Sequence, residues 1–329
     1  MADYEIRPFR AGDEDSLLRT HHLVFPGGDP GLPPMSRERW EWEFQANPAG
    51  QRIWVAVHGG EVVAQYAGLP AKVWIDGRES TFTQIVDSMV HPDHRRGLKH
   101  PGLFVQVGEP FLETVGGPAK DLVCWGLPVE PAWRIGKAFL KYELVRTQDV
   151  LAREVEAGPV DLPPGVEELD RFDHQARWLW DRCCAEWGAS TIRDERYLNW
   201  RFFARPDKSY RVLGVRDGEG VLRGYAVYHF GFWLQPGSAV LVDWLVPPAE
   251  LEVGILLYHA VLACARASGA RVAATLIPDW SPWFDRFQQG GFAVWPSDLL
   301  LVARNYARKY DMLWLRDRWW YQLGDTDLV

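Results

Sequence analysis

Residues 52–57, 61–75 and 81–90 are crowded with apolar, β-branched and aromatic side chains, interrupted by Gly59-Gly60 and Asp76-Gly77. This pattern predicts three strands joined by tight turns, an antiparallel meander. Ahead of the meander, residues 4–7 read as a short strand. Residues 13–24 read as a helix, with Leu17, Leu18 and Val24 apolar and acidic residues in its first turn, and 37–45 as a second helix. Behind it the pattern predicts a helix over 103–115, a strand over 121–125, a helix over 132–140 and a strand over 143–150.

The same order then starts again. Helices are predicted near 170–186 and 194–203, strands at 211–215, 222–232 and 240–246, and a helix at 250–267. A strand at 271–277, a helix at 283–289 and a strand at 299–303 follow. Individual residues recur with the elements. WEFQANP, from Trp42 to Pro48, returns as WRFFARP, from Trp200 to Pro206. Val86-Asp87 and the following Val90 and Pro92 return as Val242-Asp243, Val246 and Pro248, and Pro128 and Trp133 return as Pro278 and Trp283. Three matches in one order mark a tandem duplication. Helices, a meander, then alternating strand and helix define an α+β class, here two α/β/α sandwiches with mixed, mainly antiparallel sheets. The expected domains are 1–157 and 166–329, joined by a Pro/Gly-rich linker over 158–165.

Composition narrows the function. Of 329 residues, 36 are Lys or Arg and 44 Asp or Glu, a net charge of −8, so no basic face for bulk nucleic-acid binding is expected. No apolar run approaches the roughly 18 residues that would cross a bilayer. The segment Met1-Ala2-Asp3-Tyr4-Glu5 has neither the charge nor the apolar stretch of a secretion signal, so a cytoplasmic location is expected. Cys124, Cys183, Cys184 and Cys264 show no C-x-x-C spacing, and the histidines at 21, 22, 91, 94 and 100 are not at ligand spacing with carboxylates; no metal is expected. There is no G-x-S-x-G. The 18 tryptophans imply large apolar contacts with a minority lining a site, and the aromatic stretch WLRDRWW at 314–320 either packs or lines a substrate groove.

The element order, together with Val90-His91-Pro92-Asp93-His94-Arg95-Arg96-Gly97 at the end of the fourth strand, resembles the GNAT superfamily of acyl-CoA-dependent N-acyltransferases. In that family a strand ending in a V-x-P-like turn runs into an R-x-x-G-x-G/A loop that opens a long helix. Free N–H groups and the helix dipole there hold a pyrophosphate. The resemblance spans the chain as two copies, like the tandem-GNAT acyltransferases. Here either Gly97 is the motif glycine, or the loop is longer and Gly102 opens the helix; Gly102-Leu103-Phe104 is the better start, and Pro101 suits the first turn. Arg95, Arg96, Lys99 and His100 suit a phosphate-rich ligand. The resemblance therefore implies that acetyl-CoA or another acyl-CoA is bound by Met89, Val90, His91, Arg95, Arg96, Gly97, Lys99, Gly102, Leu103 and Phe104. In the second copy residues 246–254 contain no arginine, and Glu250 and Glu252 stand where phosphate would go.

The implied reaction is transfer of an acyl group, acetyl in the simplest case, to a primary amine of a small molecule or peptide. It needs a base for the ammonium and an acid for the leaving thiolate. Asp87, an acid inside the apolar run IVDSMV, is the candidate base, although Asp243 at the matching position reads equally as a shared structural aspartate. The tyrosine that the family carries on the following helix is replaced by Lys137 in the first copy and Phe287 in the second. Tyr142, one turn further on, is the candidate acid, or else a core residue. Two other readings stay open: an inactive GNAT pair that binds CoA or a peptide, and a Fem-type aminoacyl transferase, against which the acidic balance counts. The oligomeric state is left open.

Overall fold

The computed structural model describes residues 3–27, 33–95 and 101–329. Its elements in chain order are β1 (Glu5–Pro8), α1 (Glu14–Val24), α2 (Arg37–Trp40), β2 (Arg52–His58), β3 (Glu61–Ile75), β4 (Arg78–Val90), α3 (Leu103–Val115), β5 (Asp121–Gly126), α4 (Glu130–Phe139) and β6 (Glu143–Thr147). There follow β7 (Val150–Glu154), β8 (Val166–Leu169), α5 (Gln175–Cys184), β9 (Ala189–Thr191), α6 (Glu195–Phe202), β10 (Arg211–Arg216), β11 (Leu222–Trp233) and β12 (Gln235–Leu245). The chain ends with α7 (Leu251–Ala267), β13 (Val272–Thr275), α8 (Pro282–Gln289), β14 (Ala293–Trp295), β15 (Leu300–Asn305), α9 (Met312–Arg318) and β16 (Trp319–Trp320). The result is the mixed α/β architecture expected from the pattern, with two mixed sheets.

Two compact units divide the chain. One holds the residues through Val73, Glu79–Thr147 and Asp298–Arg316; the other holds Trp74–Arg78, Gln148–Ser297 and Asp317–Val329. In the first unit the strands run β1-β2-β3-β4-β5-β15-β6, and in the second β14-β7-β13-β12-β11-β10-β8. The first path thus takes in β15, from the second half of the chain, and the second takes in β7, from the first half. The stretch 143–150, expected as one strand, divides at Gln148-Asp149 into β6 and β7, which enter different sheets. The buried Gln148 amide donates to the Asp149 carbonyl at this division. The second expected helix, 37–45, is a short α-turn capped by Ser36, whose hydroxyl accepts from Arg39 N, and then a wider π-turn, Glu41–Gln45.

The first sheet is covered on both faces. Alternation along β2 sends Ile53 and Val55 to the α1/α2 side, with Leu17, Trp40 and Phe44, while Trp54 and Ala56 face the α3 side, with Val107 and Phe111. In β4 this alternation breaks. Val86 and Met89, three apart, share the α1/α2 face, and Ile85 and Val90, five apart, share the other. One extra residue has been inserted, and Asp87, with φ of 46°, is the left-handed residue of a β-bulge. The second sheet carries the same device: pairing of β11 with β12 jumps from Val227↔Asp243 to Tyr228↔Leu241, skipping Val242.

Candidate functional site

In the first unit the parallel pair β4–β5 holds register from Thr81↔Asp121 to Gln84↔Trp125 and stops there. β4 continues for six more residues, to Val90, beyond the last paired position. Among the described residues its final stretch therefore has no strand partner on the β5 side. Past the strand, His91 N donates to Val63 O, and Pro92–His94 form a 3-10 turn. Arg95 folds back, its Nε donating to Val90 O at 2.9 Å, while the rest of the residue is exposed. Tyr4, His58, His91 and His94 cluster beside this turn, with Tyr4 Oη 3.0 Å from His94 Nδ1 and neighbouring ring centroids 5.3 to 5.7 Å apart. Arg96, Gly97 and Lys99, expected at the phosphate, lie outside the described residues.

Gly102 is the N-cap of α3 and its carbonyl accepts from Val105 N and Gln106 N. Among the described residues no side chain caps this helix, and its first turn has no acid to set against the positive end of the dipole. Leu103 and Val90 are buried together in the α3-side core; Phe104 stands beside Tyr66, ring centroids 5.4 Å apart. α3 lies so near β3 that a Cβ on Gly108 would come within 2.8 Å of the Tyr66 ring. Met89 faces the opposite side, buried in the α1/α2 core.

Asp87 is the acid the sequence pointed to, and the bulge aims it at α1. Its Oδ1 lies 3.6 Å from His21 Nε2, and its side chain keeps 21% exposure against 7% for His21. Both ring nitrogens of His21 are buried without a hydrogen-bond partner. Gln65 donates from Nε2 to the Asp87 carbonyl, and its own Oε1 is likewise buried and unpartnered. A left-handed backbone, a carboxylate and unpartnered polar atoms thus meet at one point. Sequence reading missed His21 and Gln65, since only the α1–β4 and β3–β4 packing brings them to Asp87. Tyr142, the expected acid, sits in the core at 6% exposure with its hydroxyl 3.1 Å from that of Tyr66. Burial pushes its phenol well above the ordinary value and holds it protonated.

The matching positions of the second unit have been turned to other uses. Asp243 is 1% exposed and takes three charge-assisted bonds from Arg193, which also reaches Asp325, plus one from Tyr225 Oη at 2.9 Å. Burial pushes its carboxyl up, against the pull of Arg193. β12 and β13 part after Leu241↔Thr275, but the carbonyl at the end of this edge, Val246 O, accepts from the Trp283 indole at 2.8 Å. Gly254 of α7 makes room for that ring: a Cβ there would lie 2.0 Å from it. The N-cap of α7 is Glu250, whose carboxylate is held by Arg182 and Arg223. The Glu250 side chain makes no bond to the helix N–H groups; it is spent on the two arginines.

Residues 5–106 match the family model described as an acetyltransferase (GNAT) domain. Over that stretch the chain is similar to a GNAT domain. Solved structures extend the likeness to nearly its whole length. N-myristoyltransferase of Saccharomyces cerevisiae, solved with bound myristoyl-CoA, superposes with a TM-score of 0.63 at 13% identity, over 93% of this chain and 80% of that one. A conserved protein of unknown function from Enterococcus faecalis V583, a probable N-acyltransferase, gives 0.64 at 15% identity, over 92% and 73%. A tandem GNAT protein from the clavulanic acid biosynthesis pathway gives 0.58 at 17% identity, over 92% and 98%. At these identities the likeness is one of fold, and the fold is a tandem GNAT fold. No curated protein matches the sequence. Among the described residues no helix is long and apolar enough to cross a membrane.

Proposed function

We propose that this GNAT protein is an acyl-CoA-dependent N-acyltransferase that works from its first unit, with acetyl-CoA as the expected donor and a primary amine of a small molecule or peptide as acceptor. The observation that carries the reading is the free end of β4 beyond Gln84, which leads through the cationic turn at Arg95 to an uncapped, acid-free helix start at Gly102. Val90, His91, Arg95, Gly102, Leu103 and Phe104 would hold the donor, with Arg96, Gly97 and Lys99 supplied by the same loop. Met89, buried on the other face, would support the strand from behind.

Asp87 is the base. It removes a proton from the acceptor ammonium, the amine nitrogen attacks the thioester carbonyl and gives up its second proton to solvent, the C–S bond breaks, and the departing thiolate is protonated by solvent. His21 stands behind the carboxylate as its positioning partner. The free, buried state of all four cysteines supports work in a reducing compartment such as the cytoplasm. A second reading, a GNAT pair that binds acyl-CoA without turnover, is favoured by one observation, the burial of Tyr142 against Tyr66.

The test is a thermal-shift titration with acetyl-CoA and CoA, run on wild type beside Arg95→Glu/Arg96→Glu, followed by thiol release over a panel of primary amines. A ligand that binds only the folded protein raises Tm with concentration. A saturable shift lost in the double variant, with amine-dependent thiol release, supports the first reading. A shift without release supports the second, and no shift up to millimolar CoA defeats both.

A further inference from the structure

Within the second unit, α7 and α8 enclose a cavity of about 480 Å³, the size of a small-molecule site. Its walls are apolar and aromatic: Leu262 and Trp244 are buried behind it, Trp283 and Phe287 face it from α8, and Ile255 stands exposed at 46%. The charged residues among its lining are of one sign. Arg153, Arg266 and Arg286 are joined by His259, with no Asp or Glu, in a chain whose net charge is −8.

The three guanidiniums are held differently. Arg153 donates to Tyr258 Oη and Gly290 O and lies 3.7 Å from the exposed Glu156. Arg266 donates to two backbone carbonyls, those of Glu156 and Pro159. Arg286 reaches the neutral Gln289 Oε1 at 3.3 Å. Arg266 and Arg286 thus have no carboxylate partner among the described residues. Positive charge beside a low-dielectric apolar wall attracts an anion, and does so more strongly than it would in open water. A bare phosphate would leave the aromatic wall wet, and a neutral apolar molecule would leave the guanidiniums unpaired.

We propose that this cavity binds an amphipathic carboxylate: an acyl or aryl body lies against Trp283, Phe287 and Leu262, and the carboxylate meets Arg286 and Arg266. The site is separate from the one assigned to acyl-CoA and does not rest on that assignment.

The experiment is isothermal titration of the full chain with octanoate, and with octylamine as a charge control of equal length, both below micellar concentration. Arg286→Glu and Ile255→Trp change exposed residues, so both variants are expected to fold, with near-UV circular dichroism as the check. Octanoate is expected to bind saturably and octylamine not. Arg286→Glu should weaken octanoate at least tenfold by reversing the charge, and Ile255→Trp should do the same by filling the mouth. Arg95→Glu should bind octanoate as wild type does. Equal binding of octylamine, or octanoate binding unchanged in both groove variants, overturns the proposal. Loss of octanoate binding in Arg95→Glu also overturns it, because the binding would then belong to the first unit. Failure of acetyl-CoA to bind, with octanoate retained, would defeat only the acyltransferase reading.

Discussion

Asp87 and Asp243 occupy the same place in two copies of one domain, each at a bulge in the strand that leads away from the sheet's parallel neighbour. Asp87 keeps a fifth of its side chain exposed and faces an imidazole with no other partner. Asp243 is sealed in by Arg193, Tyr225 and, through Arg193, Asp325. The bulge is therefore an architectural inheritance, and what surrounds the aspartate decides its use. Where side chains close over the carboxylate it becomes part of the core, and where they leave it half open it is available to a substrate. The same contrast runs along the rest of the strand: Val90 O is met by an arginine from a cationic turn, Val246 O by a tryptophan from the core.

The largest expected effect comes from opening the closed copy. Arg193→Met leaves Asp243 and Asp325 buried without their cation, which should cost about 3–5 kcal/mol of stability, read as a fall in the urea midpoint. A loss under about 1 kcal/mol would remove the distinction between the two aspartates. Next comes Asp87→Asn, which should change stability little, since this carboxylate is half open. It should cut amine-dependent thiol release from acetyl-CoA by at least about 100-fold, the scale of a missing general base. If instead it unfolds the protein while Asp243→Asn does not, the roles are reversed. Arg95→Glu should weaken acetyl-CoA about tenfold, roughly 1.4 kcal/mol, whereas charge reversal at Arg223, on the Glu250 side, should leave that affinity alone.

The smallest effect is one of pH. Burial, aided by Lys208, pushes His229 in the second unit down to about 4. An unfolded histidine takes its proton near 6.5, so between about 6.5 and 4 the unfolded chain binds more protons than the folded one. Stability therefore falls as pH drops through that window, and this group adds nothing further below it. His229→Gln should flatten the fall, read as the urea midpoint across that pH window.

The repeat was legible because the Val-Asp pair and the Trp-Phe-Ala-Pro set carry their own register. Boundaries of α3 and β3 and the end of β4 followed from turn glycines and apolar runs, while β4 starts three residues earlier than expected, at Arg78. The bulge was not legible: in a strand as apolar as IVDSMV, one inserted residue leaves no break in polarity. For Tyr142 the sequence offered both a catalytic and a core role, and the structure places it in the core, its hydroxyl against Tyr66. His21 was read as one of two adjacent histidines without metal spacing, because its partner lies far along the chain on β4. Trp283 was recognised as a repeat of Trp133, yet its bond to Val246 O needs the fold to exist. The division of 143–150 escaped notice because an apolar strand does not declare which sheet it joins.

β7 and β15 give the protein an unusual birth order. At ordinary rates of synthesis, roughly ten to thirty seconds separate the emergence of β6 from that of Leu300–Asn305. Throughout that interval β5 and β6 have no strand between them. The nascent first unit thus waits with two open edges for the last part of the chain, and a ribosome that stalls in the second copy strands the first unfinished. Loss of the chain from Leu300 onward would then damage the half of the molecule that was made first.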